Sequence, residues 1–315
     1  MAVNRGWSYR EQVTADAHGC TVLAHLAASR RHSTAREWSD RIRRGEVEVD
    51  EVVAEPETLL RAGQALVWHR PPWHEPEVPQ HFEVIHEDAA IVAVTKPSGL
   101  PTMPAGGFLD HTLLALVRAR YPEASPLHRL GRHTSGIVLF ARTHAAAAAL
   151  SRSWRDHDVK KHYLALASGV AARDTFSIEA PIGPVPHPTL GEVYAASAGG
   201  KPSHSVATVL ERRHPIKGCP TDEGSTLFEV EITTGRPHQV RIHLAYAGHP
   251  LTGDPLYDTG GVIKSHPGLP GDGGYLLHAA RLAFVHPLTG AEMVLDAASS
   301  SPQALKSSSP RVSYY

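Results

Sequence analysis

Cysteine is almost missing from this chain: Cys20 and Cys219 are the only two. Two thiols cannot build a disulfide framework or a zinc site of paired thiolates. Such scarcity suits a reducing compartment, and a cytoplasmic protein is expected. No apolar run approaches the roughly 18 residues that a membrane helix needs, which excludes a helical membrane protein. The opening residues, Met1 to Val13, interleave Arg5, Trp7, Tyr9, Arg10 and Glu11. They lack the apolar stretch of a secretory signal. A strong charge of one sign is absent too, with 31 Lys and Arg against 32 Asp and Glu, a net charge of −1. A surface that gripped polyanions everywhere would be basic, so any nucleic-acid contact must rest on a local patch. No internal repeat is evident.

What is present is an ordinary globular mix, 42% apolar and 20% charged over 315 residues. That length suggests two domains at about 150 residues each. Histidine stands out with 22 copies, which raises a metal protein or a His-dependent hydrolase as competitors. No HExxH motif or Cys/His cluster accompanies them, so no metal site is expected and the histidines read as scattered. Between His69 and Pro79 the chain reads HRPPWHEPEVP, with Pro71, Pro72, Pro76 and Pro79. Neither a helix nor a central strand tolerates that density, so residues 70–80 read as a linker. Residues 298–315, rich in Ser and Pro, read as a disordered tail.

Residues 18–69 have their own pattern. Val22, Leu23 and Leu26 mark a short helix starting near Thr21. A second follows, with Thr34 and Glu37 at capping-box spacing, Trp38 and Ile42 on one face, and Gly45 as the stop. The alternating Glu46–Val49 run and Gly63–His69 read as strands. Six arginines fall between Ser29 and Arg44 against Glu37 and Asp40, a local excess of 6 − 2 = +4. Arg36, Arg41, Arg43 and Arg44 form the basic face. This arrangement resembles the small alpha-L RNA-binding module. The resemblance implies that these arginines meet the RNA backbone, where phosphate contacts position rather than specify.

The body, residues 81–297, contains LHRLGRHTSGIVLFART from Leu127 to Thr143. IVLFA reads as a buried strand, and Thr134, Ser135 and Gly136 as a polar turn leading into it. Arg129 and Arg132 stand before the turn, where two cations suit an anionic substrate. In order around it lie IVAVTKPSGLPTMP (Ile91–Pro104), KKHYLALASG (Lys160–Gly169) and GKPSHSVATVL (Gly200–Leu210). TTGRPHQVRIHLAYAGHPLTGDPLY (Thr233–Tyr257) and LLHAARLAFVHPLTG (Leu276–Gly290) complete the set. Together they resemble the RluA-type RNA pseudouridine synthases over roughly residues 83–295.

The resemblance implies an α+β body of mixed, mostly antiparallel sheets lying side by side, with an RNA cleft across them. It implies an isomerase that detaches uracil from C1′ of a uridine in ribosomal or transfer RNA, turns it and rejoins it through C5. No cofactor and no obligate protein partner are implied. The target base must leave its stack, which the enzyme compensates by stacking and hydrogen bonding. Carried over by position, Tyr163 stacks on the flipped base and moves a proton, while Arg241 pairs with the catalytic aspartate. His128, Arg129, Thr134, Ser135 and Gly136 fall on the aspartate's motif, and Lys96 and Pro97 on the opening strand and turn. Arg132, Thr134, Ser135, Lys96, His238 and Gln239 are expected on the RNA side.

At one position the chain departs from that pattern. Where the family has its aspartate, this sequence has Gly131, which can be neither nucleophile nor acid–base group. Arg241 is then left without its partner unless another carboxylate meets it. Three explanations stand. Asp254 or Asp110 supplies a carboxylate; His133 acts as a base near neutral pH; or the chemistry is lost and the cleft only binds RNA.

Overall fold

A computed structural model describes residues 3–30, 32–215, 223–298 and 305. The chain divides into two compact units, Met1–Pro76 and Glu77–Tyr315.

The first unit holds α1 (Val22–Ser29), α2 (Ala35–Arg43) and a four-stranded antiparallel sheet ordered β1-β4-β2-β3. Its strands are β1 (Trp7–Gln12), β2 (Val47–Val49), β3 (Val52–Val53) and β4 (Ala65–Arg70). The capping box forms as the spacing predicts. Thr34 N donates to Glu37 Oε2 at 2.7 Å, and Glu37 N to Thr34 Oγ1 at 3.3 Å. Gly45 ends the turn at φ +76°, the left-handed region a side chain resists. The amphipathic face of α2 buries Trp38 and Ile42 against Val22, Leu26, Val47 and Leu66. Burying a large apolar side chain completely contributes about 1.5–3 kcal/mol, so these two anchor the helix.

The unit is larger than the 18–69 span read from sequence, because β1 pairs along β4 from Trp7↔Arg70 to Gln12↔Ala65. Most of the expected linker is also folded onto it. Asn4 Nδ2 donates to Glu75 Oε1 at 2.8 Å, Trp73 N donates to Asn4 Oδ1 at 3.1 Å, and the Arg70 guanidinium lies 3.5 Å from the Trp73 ring centroid. Proline stops regular structure in this segment without freeing it. Val78 packs into the core of the second unit. The disorder expected for 298–315 falls mostly outside the described residues. Of that stretch, Ala298 and Leu305 are described, and Leu305 is buried beside Leu164, Leu166 and Leu227.

The second unit is built on one ten-stranded sheet. Its strands are β5 (Glu83–Glu87), β6 (Ile91–Lys96), β7 (Ser125–Pro126), β8 (Ser135–Ala141), β9 (Lys160–Ser168), β10 (Thr175–Ile178), β13 (Ser205–Arg213), β14 (Ser225–Ile232), β17 (Leu277–Val285) and β18 (Glu292–Asp296). Two hairpins stand apart, β11 (Ile182–His187) with β12 (Gly191–Ala196) and β15 (Tyr257–Asp258) with β16 (Val262–Ile263). Among the described residues the unit also holds three α-helices, α3 (Leu113–Arg120), α4 (His144–Arg155) and α5 (Gln239–Tyr246). The main path runs β10-β13-β14-β9-β17-β8-β6-β5, with β18 on β17 and β7 on β8.

IVLFA is apolar on both faces because both are covered. Ile137, Leu139 and Ala141 pack with Ala146 and Leu150 of α4, whereas Val138 and Phe140 pack with Leu113 and Val117 of α3. The two sheet halves expected side by side meet in a single narrow seam. Among the described residues every other strand pairing is antiparallel, but β17 and β8 run parallel through only His278↔Ser135 and Ala279↔Gly136. Gly136 is what permits it. A Cβ there would lie 2.2 Å from Ala279 O, and its φ is +110°.

Candidate active site

The HRLGRHTSG segment enters this seam. Thr134 N closes a turn on Gly131 O at 3.1 Å, and Ser135 then begins β8. The loop after β6 clamps the turn from the other side. Thr102 Oγ1 donates to Leu130 O at 2.9 Å, Gly99 N to Arg132 O at 2.9 Å and Ser98 Oγ to His133 O at 2.8 Å. Lys96 lies at the centre of the clamp. Its Nζ donates to Pro97 O, Leu100 O and Arg132 O at 2.9, 2.7 and 2.9 Å, and the residue is 1% exposed. Burial drives its pKa down to about 7, while three carbonyls favour the ammonium form. Lys96 was expected to touch RNA. It is instead the internal tie between the KPSGLPT loop and the Gly131 turn.

Two further expected RNA contacts are also internal. Gln239 is buried, with Oε1 accepting from Thr234 Oγ1 at 2.7 Å and Arg236 N at 3.1 Å, and Nε2 donating to His204 O at 2.8 Å. Ser135 is buried at 2.9 Å from His278 Nδ1. His128 serves the fold too: its Nε2 accepts from Leu139 N at 3.1 Å, its ring stacks on Trp154, and burial lowers its pKa to about 4. Arg129 is exposed, and Thr134 is buried at the turn.

Arg241 does not lack a carboxylate. Its Nε and Nη2 donate to Asp254 Oδ2 and Oδ1, each at 2.7 Å, and the two residues are 2% and 1% exposed. Burial is the largest influence and opposes the charge on Arg241, but the hydrogen bond to Asp254 and the electrostatic attraction of Tyr275, Asp254 and Tyr257 together outweigh it and raise the arginine's pKa. Asp254 Oδ1 also accepts from Leu256 N at 2.9 Å and Tyr257 N at 3.2 Å. With both oxygens engaged and no exposure, Asp254 orients Arg241 rather than reaching substrate. The guanidinium carbon lies 4.3 Å from the Tyr275 ring centroid and 5.0 Å from that of Tyr257.

His238 stands at the start of α5 with φ +54°, its Nδ1 2.7 Å from Tyr257 Oη. That hydroxyl donates to Tyr194 O, so Nδ1 carries the proton and donates to it. Burial and then the Arg241 charge push the pKa of His238 down to about 3. His133 accepts from Arg132 Nε through Nε2 at 3.1 Å, and its ring packs against Gly273. Burial first, then Arg132 and Lys96, lower its pKa. The neutral ring has only one lone pair and it is taken by Arg132, so this conformer has none left to act as a base.

Tyr163 sits mid-strand in β9, half-buried between the cores on either side of the seam, and desolvation raises its pKa to about 12. Ala279 of β17 pairs with Tyr163 on one edge and with Gly136 on the other. Tyrosine and turn are thereby held one strand apart. Gly131 itself is exposed, and a Cβ built there would have only Thr134 Oγ1, at 3.5 Å, and Tyr275 Oη, at 3.6 Å, within 4 Å. Sequence reasoning missed Tyr275, Ser98 and Thr102. The last two had a faint signal, as hydroxyls inside an otherwise apolar loop; Tyr275 had none.

In the first unit Arg36 and Arg43 are exposed. Arg41 is spent internally, donating to Ser33 Oγ at 2.7 Å and lying over Trp38 and Trp68, and Arg44 pairs with Glu46 at 2.8 Å. Among the described residues no three His, Cys, Asp or Glu side chains gather as metal ligands would, and no helix is long and apolar enough to cross a membrane.

Comparison with known proteins agrees with this geometry. The RNA pseudouridylate synthase family model matches residues 90–246. An uncharacterized RNA pseudouridine synthase of Synechocystis sp. is 45% identical over 81% of this chain and 86% of its own length. RNA pseudouridine synthase 5 of Arabidopsis thaliana is 36% identical over 88% of each chain. Ribosomal large subunit pseudouridine synthase D of Neisseria meningitidis is 32% identical over 88% of this chain and 74% of its own. A solved structure, human RNA pseudouridylate synthase domain containing 1, shares the fold. Its TM-score is 0.55 at 24% identity, over 71% of this chain and 86% of that one. The chain belongs to the RluA-type family of RNA pseudouridine synthases, isomerases that act on RNA.

Proposed function

We propose that this enzyme converts uridine to pseudouridine in large-subunit ribosomal RNA, with Tyr163 against the flipped base and Arg241 beside the reacting sugar. The observation that carries the reading is the double pairing of Ala279, which sets Tyr163 and the Gly131 turn on the two strands that flank β17. The choice of RNA leans on the Neisseria relative, whose name specifies the ribosomal large subunit. Isomerisation only exchanges a C1′–N1 bond for a C1′–C5 bond, so it needs no redox partner. Such an enzyme would act in the cytoplasm, on ribosomal RNA and without an obligate protein partner.

Arg36 and Arg43, exposed on α2, are the proposed phosphate contacts of the first unit. Replacing both with Ala should lower the slope of log affinity against log salt by about 0.7–0.9 per lost contact. An unchanged slope would make this face mere surface. The function itself is tested by pseudouridine mapping of total RNA from cells with and without the gene. Loss of one or a few sites in large-subunit ribosomal RNA is expected. Sites lost only from transfer RNA would refute the substrate, and no lost site with RNA binding intact would leave an RNA-binding protein on this fold.

A further inference from the structure

We infer that the Tyr275 hydroxyl does the work of the carboxylate that Gly131 omits, acting as the nucleophile at C1′ of the target uridine. The assignment rests on the uridine isomerisation proposed above.

Three observations converge. Within 4 Å of the point where a side chain at 131 would begin, the atoms present are two hydroxyl oxygens, those of Thr134 and Tyr275. A phenol is a stronger acid and better leaving group than an aliphatic alcohol, and tyrosine serves as the nucleophile at an anomeric carbon in some glycosidases. Second, Tyr275 is 4% exposed, yet its hydroxyl has no hydrogen-bond partner among the described residues. It is not sealed in either, because among the described residues the only buried side-chain polar atom without a hydrogen bond is His69 Nε2. The ring is therefore fixed in the core while its oxygen opens toward exposed Gly131. Third, the Arg241 guanidinium lies 4.3 Å from the ring centroid and is held there by Asp254. Its charge stabilises negative charge on the phenol oxygen as that oxygen attacks and later departs.

Two of the other candidates are committed elsewhere: both Asp254 oxygens are bonded, and the His133 lone pair is taken by Arg132. In the step we assign, the phenol oxygen bonds to C1′ as the C1′–N1 bond breaks, and the phenolic proton passes to the departing uracil at N1. After the uracil turns, its C5 attacks C1′ and the C1′–oxygen bond to Tyr275 breaks. The proton displaced from C5 returns to the phenolate, so the enzyme ends as it began. Glycine at 131 is part of the device, since an aspartate there would occupy the space into which Tyr275 points.

The test uses the full chain and a transcript of large-subunit ribosomal RNA made with uridine tritiated at C5, so that isomerisation releases tritium. Tyr275→Phe keeps the ring, the core and the Arg241 contact. It should lose activity by about 100-fold or more, the scale of a missing catalytic group, with unchanged melting temperature and RNA affinity. Gly131→Asp in the Tyr275→Phe background should regain at least about 10-fold, which a purely structural tyrosine would not permit. Tyr275→Phe within threefold of wild type would overturn the assignment. So would a double variant as inactive as Tyr275→Phe alone. Wild-type protein that releases no tritium would overturn the isomerisation reading itself, a separate failure visible before any variant is made.

Discussion

The Arg241–Asp254 pair makes a quantitative claim about stability. Both residues are buried, and two 2.7 Å hydrogen bonds join them. Asp254→Asn removes the negative charge but keeps an oxygen that can accept from Leu256 N and Tyr257 N, so the turn survives and the arginine alone is stranded. Removing one partner of a buried pair costs about 3–5 kcal/mol. For a unit of this size each kcal/mol lowers the melting temperature by roughly 2–4 °C. The expected fall is therefore about 6–20 °C by calorimetry at pH 7. The double variant Arg241→Met/Asp254→Asn, which removes both charges, should recover most of that loss. A single variant within about 2 °C of wild type, or a double no better than the single, would refute the claim that the carboxylate's main task is to hold the guanidinium.

Two glycines of one motif should behave oppositely. Gly136→Ala places a Cβ 2.2 Å from Ala279 O at φ +110° and should cost roughly 4 kcal/mol or more, whereas Gly131→Ala meets nothing nearer than 3.5 Å and should leave stability level or slightly higher. A thermal melt of Gly136→Ala matching wild type would sink this reading of the seam. Acid should weaken the second unit well before carboxylates titrate. Burial holds the pKa of His128, His238 and His243 at about 4, 3 and 4, below the ordinary 6.5. The unfolded chain then binds more protons, so stability is full above pH 6.5 and falls as pH drops toward those folded values. For His243, which is fully buried, the loss at pH 5 is about 2 kcal/mol. Urea midpoints at pH 7.5 and 5.0 measure this, and an equal or higher midpoint at pH 5.0 would contradict it.

Local chemistry was readable from sequence. Thr34, Glu37 and Gly45 bracket α2 with signals a few residues apart, and IVLFA declares a strand covered on both faces. Strand β1 escaped notice because its exposed and half-buried residues carry no apolar alternation; its reason to exist is β4, more than fifty residues away. In the site, motif membership located the right segments without sorting their side chains. Lys96 and Gln239 belong to the motifs yet face inward, since the turns beside them need their carbonyls and amides satisfied. Asp254 was a candidate for chemistry, but its meeting with Arg241 exists only once α5 and the following turn fold together. Tyr275 was invisible because nothing along the chain links it to Gly131, which the β8–β17 seam brings to it.

The amine of Lys96, shut in by three carbonyls, also makes the site measurable from outside. An electrophile that modifies surface lysines cannot reach Nζ while the loop after β6 and the turn before β8 are joined. Its labelling rate, set against that of the exposed Lys160 or Lys201, therefore counts how often the two segments part. A single nitrogen becomes a clock for the opening of the catalytic turn, read by mass spectrometry, with no substrate bound and no residue changed.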